Sequence, residues 1–270
     1  MDIDDEQRVY MIARIEDILE QSHVSDATLQ SVNGSFGWYC YVVYEGRCRR
    51  DTFFKAVRSG AKNHAITKPM RAQFKWWLST LREKRYLPSR IWFRDEQQPF
   101  STIHSDAAGE EGFGFCAAGL HVSGSWRQSL APFIRNDMFV KELLPIAIAV
   151  LLLSPLFKHH IFCPAVDKSG VVFRINCGSC KNPLGLILMK VMSRALAMQD
   201  NHILADWNNR EQMMAQHADH LSKIIGTRAW LHDSPMQEPP WVFDLVIHEL
   251  ATDRCVQTSI RIPGLSRGLP

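Results

Sequence analysis

The chain has 270 residues, of which 46% are hydrophobic and 22% charged, a composition typical of a globular protein that buries a core. This length favours one domain with an appendage or two small domains. Seven cysteines without regular spacing argue against a disulfide framework, so we expect a reducing intracellular compartment, the nucleus or the cytoplasm. The acidic start, MDIDDEQR, is not followed by an apolar core, so no secretory signal peptide is expected.

Positive charge is concentrated between residues 47 and 94. This segment holds 14 Lys and Arg residues but only two acidic ones, whereas the rest of the chain has 17 basic and 26 acidic residues. Aromatic residues are interleaved with the cations, as in surfaces that follow a phosphate backbone and stack on bases. An equally good interpretation is a solvated helix face whose rings turn inward. The candidate nucleic-acid-binding residues are Arg49, Arg50, Lys55, Arg58, Lys62, Lys68, Arg71 and Lys75.

The first hundred residues are predicted to be mostly helical. Apolar residues recur at helical spacing over residues 6–20. Further helices are expected from a cap at Ser25 or Asp26, over residues 49–58, and from Thr67, which lies two residues before Pro69. Gly34 and Gly37 interrupt the apolar and aromatic run that follows the second of these helices.

From residue 99 the pattern changes to alternating strands and helices. Strands are predicted over residues 100–104, 112–120, 121–126, 161–166 and 202–207, and helices over residues 141–154, 183–198 and 213–223. A meander of three strands followed by alternating helix and strand predicts an α/β fold with a mixed sheet. The most apolar stretch, residues 143–157, contains two prolines and is short for a bilayer span. It is predicted to be a buried helix, and no membrane association is expected.

Four acidic residues are placed where they could reach a common site. Asp106 ends the first predicted strand, Glu142 begins the apolar helix, Asp167 follows the fourth strand and Asp219 lies in the last helix. Taken singly, each acid is better explained as a surface charge or a helix cap. Together they match what two-metal hydrolysis of a phosphodiester needs, which is several carboxylates from separate elements. Oxygen-only ligation of this kind suits Mg²⁺ or Mn²⁺.

The sequence around these acids resembles a known family. SDAA with GFGFCAAG, then KELLPIAIAV, VDKSGVVFRIN and HADHLS are similar to the ribonuclease H (RNase H) domain of retrotransposon reverse transcriptases, most of all those of DIRS-type elements. Upstream, LQSVNGSFGWYCYVVYEGRCRRDTFF and KPMRAQFKWWLSTL resemble the helical thumb and connection segment that precede that domain. The resemblance covers about residues 25–223.

The resemblance implies a mixed five-stranded sheet, flanked by helices, that holds an RNA–DNA hybrid over two metal ions. The chain would divide into a helical thumb- and connection-like segment (1–99), an RNase H-like domain (100–223) and a C-terminal tail of unknown role (224–270). The family's catalytic, metal-binding acids fall on Asp106, Glu142, Asp167 and Asp219. Two Mg²⁺ or Mn²⁺ ions are the implied cofactors, one activating water and the other stabilising the leaving 3′ oxygen. The expected partners are an RNA–DNA hybrid or another nucleic acid, and a polymerase palm encoded elsewhere.

Three departures from the family pattern leave two functions open. The chain has no YxDD-like polymerase motif. Lys168 follows the third acid where the family has Asn, and its ammonium would compete with a cation. The sequence DWNNREQMMAQ replaces the family's His/Trp–Pro–Gly–Asn loop, which leaves His217 as the candidate for the product-releasing histidine. The four acids favour an RNase H-type endonuclease, whereas these departures favour a catalytically inactive module that binds nucleic acid or plays a structural role.

A zinc site is the main rival among the other motifs. Cys177 and Cys180 form CxxC, and His217 and His220 form HxxH, with spacings within each pair that suit zinc. The 36 residues between the two pairs match no compact zinc finger, however. We therefore interpret both cysteines as small core or loop residues.

Overall fold

The computed structural model describes residues 3–84, 99–109, 112–126, 137–208, 218–223, 228–231 and 234–235. The chain divides into two compact units, and the described residues up to 84 belong to one and those from 99 onwards to the other. We call these the N-terminal unit and the C-terminal unit. The predicted three-part division, with its boundaries at residues 99 and 223, stays a prediction.

The N-terminal unit is mostly helical, as predicted. It contains helices α1 (Asp5–Glu20), α2 (Asp26–Tyr39), α3 (Asp51–Val57) and α4 (Lys68–Arg82), a 3-10 helix (Tyr44–Arg49), and an antiparallel strand pair, β1 (His23–Ser25) and β2 (Asn63–Ala65). Two predicted caps are confirmed, since Ser25 Oγ accepts a hydrogen bond from Thr28 N at 3.1 Å and Thr67 Oγ1 accepts one from Met70 N at 3.3 Å. The strand pair was not predicted, because three-residue strands are too short to show an alternating pattern.

Aromatic rings fill the core of the N-terminal unit. Phe36 stacks on Trp77 with ring centroids 4.2 Å apart, and Phe53 lies 4.6 Å from Phe74. All four side chains are fully buried. Several rings of the basic segment therefore turn inward, as the alternative interpretation of that segment predicted, whereas Phe54 is exposed.

The C-terminal unit is built on a mixed sheet. Its strands are β3 (Phe100–Ala107), β4 (Gly112–Ala117), β5 (Leu120–Ser125), β6 (Ile161–Val166), β7 (His202–Ile203), β8 (Asp206–Trp207), β9 (Arg228–Leu231) and β10 (Ser234–Pro235). The strand order is β10-β9-β5-β4-β3-β6-β7, and β8 also pairs with β6. The strands β3, β4 and β5 form an antiparallel meander, and β6 joins β3 in parallel. The predicted α/β class and mixed sheet are confirmed.

The five predicted strand positions are present, with β7 and β8 sharing the same side of β6, and the strands β9 and β10 extend the sheet beyond β5. Strand β9 pairs antiparallel with β5, although the prediction left residues 228–231 in a tail. Pairing with β9 satisfies backbone groups that an edge strand would leave open. The predicted strand over residues 202–207 is interrupted, because Ala205 N and O bond to the side-chain amide of Asn176 at 2.8 and 2.9 Å.

Helices flank this sheet. They are α5 (Met138–Leu153), α6 (Ser169–Cys177), α7 (Pro183–Met198) and α8 (Ala218–Ser222), and α5 packs on α7 and on the strands β3 and β4. The caps of α5 and α7 are joined, since Asn182 Nδ2 donates to Asp137 Oδ2. Helix α6 was not predicted, because only two apolar residues one turn apart, Val171 and Ile175, form its buried side.

Residues Met138–Leu156, which include α5, are long and apolar enough to cross a membrane by length and composition alone. Within the C-terminal unit, 72% of the most apolar window of this segment is buried, as in the core helix of a folded domain. Helix α5 also buries Lys141 and Glu142. The prediction of a buried helix is confirmed.

Candidate active site at the end of the central strands

Two of the predicted acids lie at the same level of the sheet. Strands β3 and β6 are adjacent and parallel, and their last paired residues are His104 and Ala165. Asp106 lies two residues beyond His104 and is still in β3, whereas Asp167 lies two residues beyond Ala165 and directly follows β6. Parallel neighbours in register therefore bring Asp106 and Asp167 to one edge of the sheet.

Gly114 allows the short helix α8 to pack directly on the sheet beside Asp106. Gly114 is the residue opposite Asp106 on β4, so both lie on the same face. A Cβ atom at Gly114 would lie 2.4 Å from Leu221 Cβ and 2.6 Å from Ser222 N, both in α8. The missing side chain thus lets the backbone of α8 approach the strand, which places Asp219 and Ser222 next to Asp106.

Ser222 connects α8 to the central strand. Its Oγ donates to Asp106 Oδ2 at 2.8 Å and also lies 2.9 Å from the backbone oxygen of Asp219. Asp219 itself accepts a hydrogen bond at Oδ2 from Lys223 Nζ at 2.7 Å, one turn further on. The carboxylates of Asp106 and Asp219 therefore each accept a hydrogen bond from a side chain of α8 or of the residue that follows it.

Burial and the neighbouring acids both affect the pKa of Asp106. Burial of the carboxyl group raises its pKa above the ordinary value of 3.8, and the hydrogen bond from Ser222 opposes that rise. The negative charges of Asp219 and Asp167 raise the pKa further. Asp167, at a strand end, and Asp219, in a helix, are thus both near enough to Asp106 to act on its carboxyl group electrostatically.

Glu142 lies in the first half of α5 and is only 6% exposed. The start of α5 is held at the end of β3, because Lys141 Nζ donates to the backbone oxygen of Gly109 just beyond that strand. The convergence of the Glu142 carboxylate with the other three acids stays a prediction.

The donor set has the chemistry that Mg²⁺ and Mn²⁺ prefer, because it consists of carboxylate oxygens. Among the residues that the structure describes, no three His, Cys, Asp or Glu side chains are arranged closely enough to hold a metal ion. Asp106 and Asp219 instead point oxygens at Ser222 and Lys223. A cation at this edge would have to take over those oxygens, so the two-metal cofactor stays a prediction.

Lys168 is half-buried and is the N-cap residue of α6. Within the described part of the chain, no ion pair joins its ammonium to the carboxylate of Asp167. No direct contact between Lys168 and Asp167 therefore supports the predicted competition of this lysine with a metal ion. The substituted loop before Asp219, including His217, lies outside the described residues.

Three of the predicted nucleic-acid-binding residues are buried or half-buried and bond within the N-terminal unit. Arg49 is buried, pairs with Glu45 and lies 4.9 Å from the ring of Trp76. Arg50 donates to the backbone oxygen of Asn33 at 2.7 Å. Arg71 donates to backbone oxygens at the end of α1. Each of these residues has a structural role, whatever it does with nucleic acid.

The other five predicted residues are exposed, and they are Lys55, Arg58, Lys62, Lys68 and Lys75. Lys55 forms an ion pair with Asp51 at 2.6 Å, and the guanidinium of Arg58 lies 5.8 Å from the ring of the exposed Phe54. These side chains remain accessible to a polyanion, and their binding of nucleic acid stays a prediction.

The CxxC motif lies at the C-terminal end of α6. Cys177 is exposed and Cys180 is buried, with its Sγ against Gly185 of α7. Gly178 between them takes a left-handed conformation that ends the helix. This local role agrees with cysteines that serve the fold.

Three residues of this site were missed by reasoning from the sequence. Gly114 and Ser222 lie inside the GFGF and ADHLS motifs, and a glycine within a strand is a known signal of close backbone approach. Trp207 is the third, and its Nε1 donates to the backbone oxygen of Asp167 at 3.0 Å. Nothing in the sequence indicated that contact, because it joins residues 40 positions apart.

No protein-family model, curated protein or solved structure matches this chain. Its function is therefore inferred from its own residues, from the motifs that resemble RNase H, and from the contacts described above.

Proposed function

We propose that the C-terminal unit is an RNase H-like domain that hydrolyses the RNA strand of RNA–DNA hybrids with two divalent metal ions. The chain would act as a fragment or subunit of a retroelement reverse transcriptase that lacks its polymerase palm. The observation that carries this proposal is geometric: Asp106 and Asp167 lie at the ends of neighbouring parallel strands, and Ser222 joins the helix that carries Asp219 to Asp106. These acids occur in the order of the RNase H motifs and come from three separate elements.

The fold is compatible with this proposal. An antiparallel meander of β3, β4 and β5, continued in parallel by β6 and flanked by helices, presents strand ends on which carboxylates can meet. The N-terminal unit adds exposed cations that suit the backbone of a nucleic acid. If these cations contribute, binding of a hybrid falls steeply as salt rises, because each phosphate contact releases a condensed counterion.

The chain's own residues have distinct tasks in this reaction. Asp106, Glu142, Asp167 and Asp219 would hold two Mg²⁺ or Mn²⁺ ions, which when bound supply activation of water and neutralisation of charge on the leaving oxygen. Ser222 orients the Asp106 carboxylate through its hydroxyl. Gly114 sets the distance between α8 and the strand, and thereby the position of Asp219.

A hybrid-cleavage assay tests the proposal. An RNA–DNA duplex with a label on the RNA strand is incubated with the full chain in Mg²⁺, in Mn²⁺ and in EDTA. We expect cuts in the RNA strand with either metal and none in EDTA or with the Asp106→Asn variant. Equal cutting by Asp106→Asn would indicate a contaminating nuclease, and absence of cutting by the parent in both metals would refute the enzymatic proposal.

A catalytically inactive module that binds nucleic acid is the second candidate. Lys223 favours it, because its ammonium already lies 2.7 Å from Asp219 Oδ2 and occupies an oxygen that a metal would need. This function predicts hybrid binding that is equal in Mg²⁺ and EDTA, with no cleavage. Removing the cation in Lys223→Met would then leave cleavage absent, whereas a nuclease restrained by Lys223 would cut faster.

A further inference from the structure

Trp207 presents a large exposed ring beside the candidate site. It lies in the edge strand β8, pairs with Val166 at the end of β6, and is 55% exposed. Its indole Nε1 donates to the backbone oxygen of Asp167 at 3.0 Å. The ring is therefore hydrogen-bonded to the backbone of Asp167, one of the candidate acids, yet it is too exposed to contribute much to the core.

The segment around Trp207 is held firmly on both sides. The Asn176 side chain bonds to both Ala205 N and Ala205 O, which fixes the approach to β8. Asn208 N donates to Val166 O at 3.0 Å, and this bond fixes the exit from β8. An exposed ring on a fixed backbone, anchored by its own N–H, loses little conformational freedom when it binds a ligand.

A second ring and a cation lie on the neighbouring helix. Phe173 is 59% exposed, and the Arg174 guanidinium lies 5.4 Å from its ring. Phe173 lies one turn before Asn176 in α6. The Asn176 side chain is the one that bonds to Ala205 between β7 and β8. An aromatic face with an adjacent cation suits the binding of a single nucleotide, because the base stacks on the ring and the phosphate attracts the cation.

We propose that Trp207 is a stacking platform for one nucleobase of the nucleic acid bound at Asp106, Asp167 and Asp219. This inference rests on the proposed function and adds a nucleotide-binding subsite to it. Stacking next to Asp167 would fix the position of the adjoining phosphodiester along the row of carboxylates. Trp207 is then a positioning residue for the strand, and its contribution is to binding rather than to the chemical step.

The test compares three variants in hybrid binding and cleavage. The variants are Trp207→Ala, which removes the ring, Trp207→Phe, which keeps a ring without the N–H, and Leu156→Ala, which removes another exposed apolar side chain (74%) elsewhere in the unit. Binding is measured with a fluorescently labelled hybrid in Ca²⁺ and in EDTA. Base stacking on an aromatic residue corresponds to a loss of between about 5-fold and 100-fold in affinity on alanine substitution. We expect that loss for Trp207→Ala, and a change below about threefold for the other two.

Abasic nucleotides locate the stacked base. Single abasic sites are placed in turn along each strand of the hybrid, and affinity is measured for the parent and for Trp207→Ala. Stacking predicts one position at which the abasic site weakens binding to the parent but not to Trp207→Ala. Loss of affinity at every position, or at none, contradicts a single stacked base.

The outcomes separate this inference from the proposed function. If the parent binds and cuts hybrid and Trp207→Ala binds it equally well, the stacking platform is wrong and the nuclease proposal stands. If Trp207→Phe is as impaired as Trp207→Ala, the N–H bond to Asp167 matters instead of the ring, and the platform is again wrong. If the parent neither binds nor cuts hybrid, both proposals fail.

Discussion

Replacing Gly114 with alanine should separate α8 from the central strands. The new Cβ atom would lie 2.4 Å from Leu221 Cβ, 2.6 Å from Ser222 N and 2.8 Å from Ala218 O. Ordinary contacts between such atoms are about 3.5–4.0 Å, so the helix has to move by about 1 Å. Two of the three atoms belong to the backbone, and no change of rotamer can relieve them.

The expected cost combines overpacking with a lost hydrogen bond. Overpacking a well-filled site costs about 1–3 kcal/mol, and a hydrogen bond to a charged group contributes about 1.5–3 kcal/mol. Because the shift of α8 relieves some of the overlap as it breaks the bond from Ser222 to Asp106, we expect a loss of about 3 kcal/mol in total. For a unit of this size that lowers the melting temperature by roughly 6–12 °C.

Thermal unfolding followed by circular dichroism measures this change, and hybrid cleavage measured on the still-folded variant should fall with it. Gly170→Ala is the matched control in the same unit, because a Cβ atom there meets nothing within 4 Å. We expect Gly170→Ala to melt within about 2 °C of the parent, since its position in the first turn of α6 tolerates alanine. A Gly114→Ala protein as stable and as active as Gly170→Ala would refute the close packing of α8.

Three further substitutions test charge and pH. Arg49→Ala should destabilise the N-terminal unit by about 3 kcal/mol in urea unfolding, because it leaves the largely buried Glu45 unpaired; a loss below about 1 kcal/mol would contradict this. The raised pKa of Asp106 means that this carboxyl group keeps a proton in the native state that it has lost in the unfolded chain just above pH 3.8, so its protonation adds stability to the metal-free protein as the pH falls through that window. Ser222→Ala removes the bond that lowers this pKa and should extend the stabilising window to higher pH; an unchanged urea midpoint profile would argue against the bond. Lys168→Asn should change Mg²⁺ affinity in calorimetry by less than about threefold, because no ion pair joins Lys168 to Asp167, and a tenfold gain would show direct competition.

Much of the architecture could be predicted from the sequence because apolar periodicity and capping residues mark it locally. The strand over residues 161–166 and the helix over residues 183–198 have the bounds that were predicted. Gly34 and Gly37, which interrupt the apolar and aromatic run in the sequence, do not end helix α2, which continues to Tyr39. Tertiary packing overrides local preference here, since Arg50 lies against the face that Gly37 leaves open.

The site could be predicted only in part, because its geometry depends on contacts between distant segments. Asp106 and Asp167 follow from strand order, since acids at the ends of neighbouring parallel strands meet at one edge. The contacts of Ser222 with Asp106 and of Trp207 with Asp167 span 116 and 40 residues and leave no local pattern. Charge alone was also a poor guide to exposure, because Arg49 is buried in an ion pair while Lys75 is exposed.

The central claim is that Asp106, Asp167 and Asp219, with Glu142, hold two divalent ions. Crystals of the full chain grown or soaked with Mn²⁺ and measured at the manganese absorption edge test it most directly, because anomalous peaks locate the ions independently of activity. We predict two peaks about 4 Å apart, each within bonding distance of at least two of these carboxylates, and loss of at least one peak in Asp106→Asn. Crystals saturated with Mn²⁺ that show no peak at these carboxylates would contradict the claim.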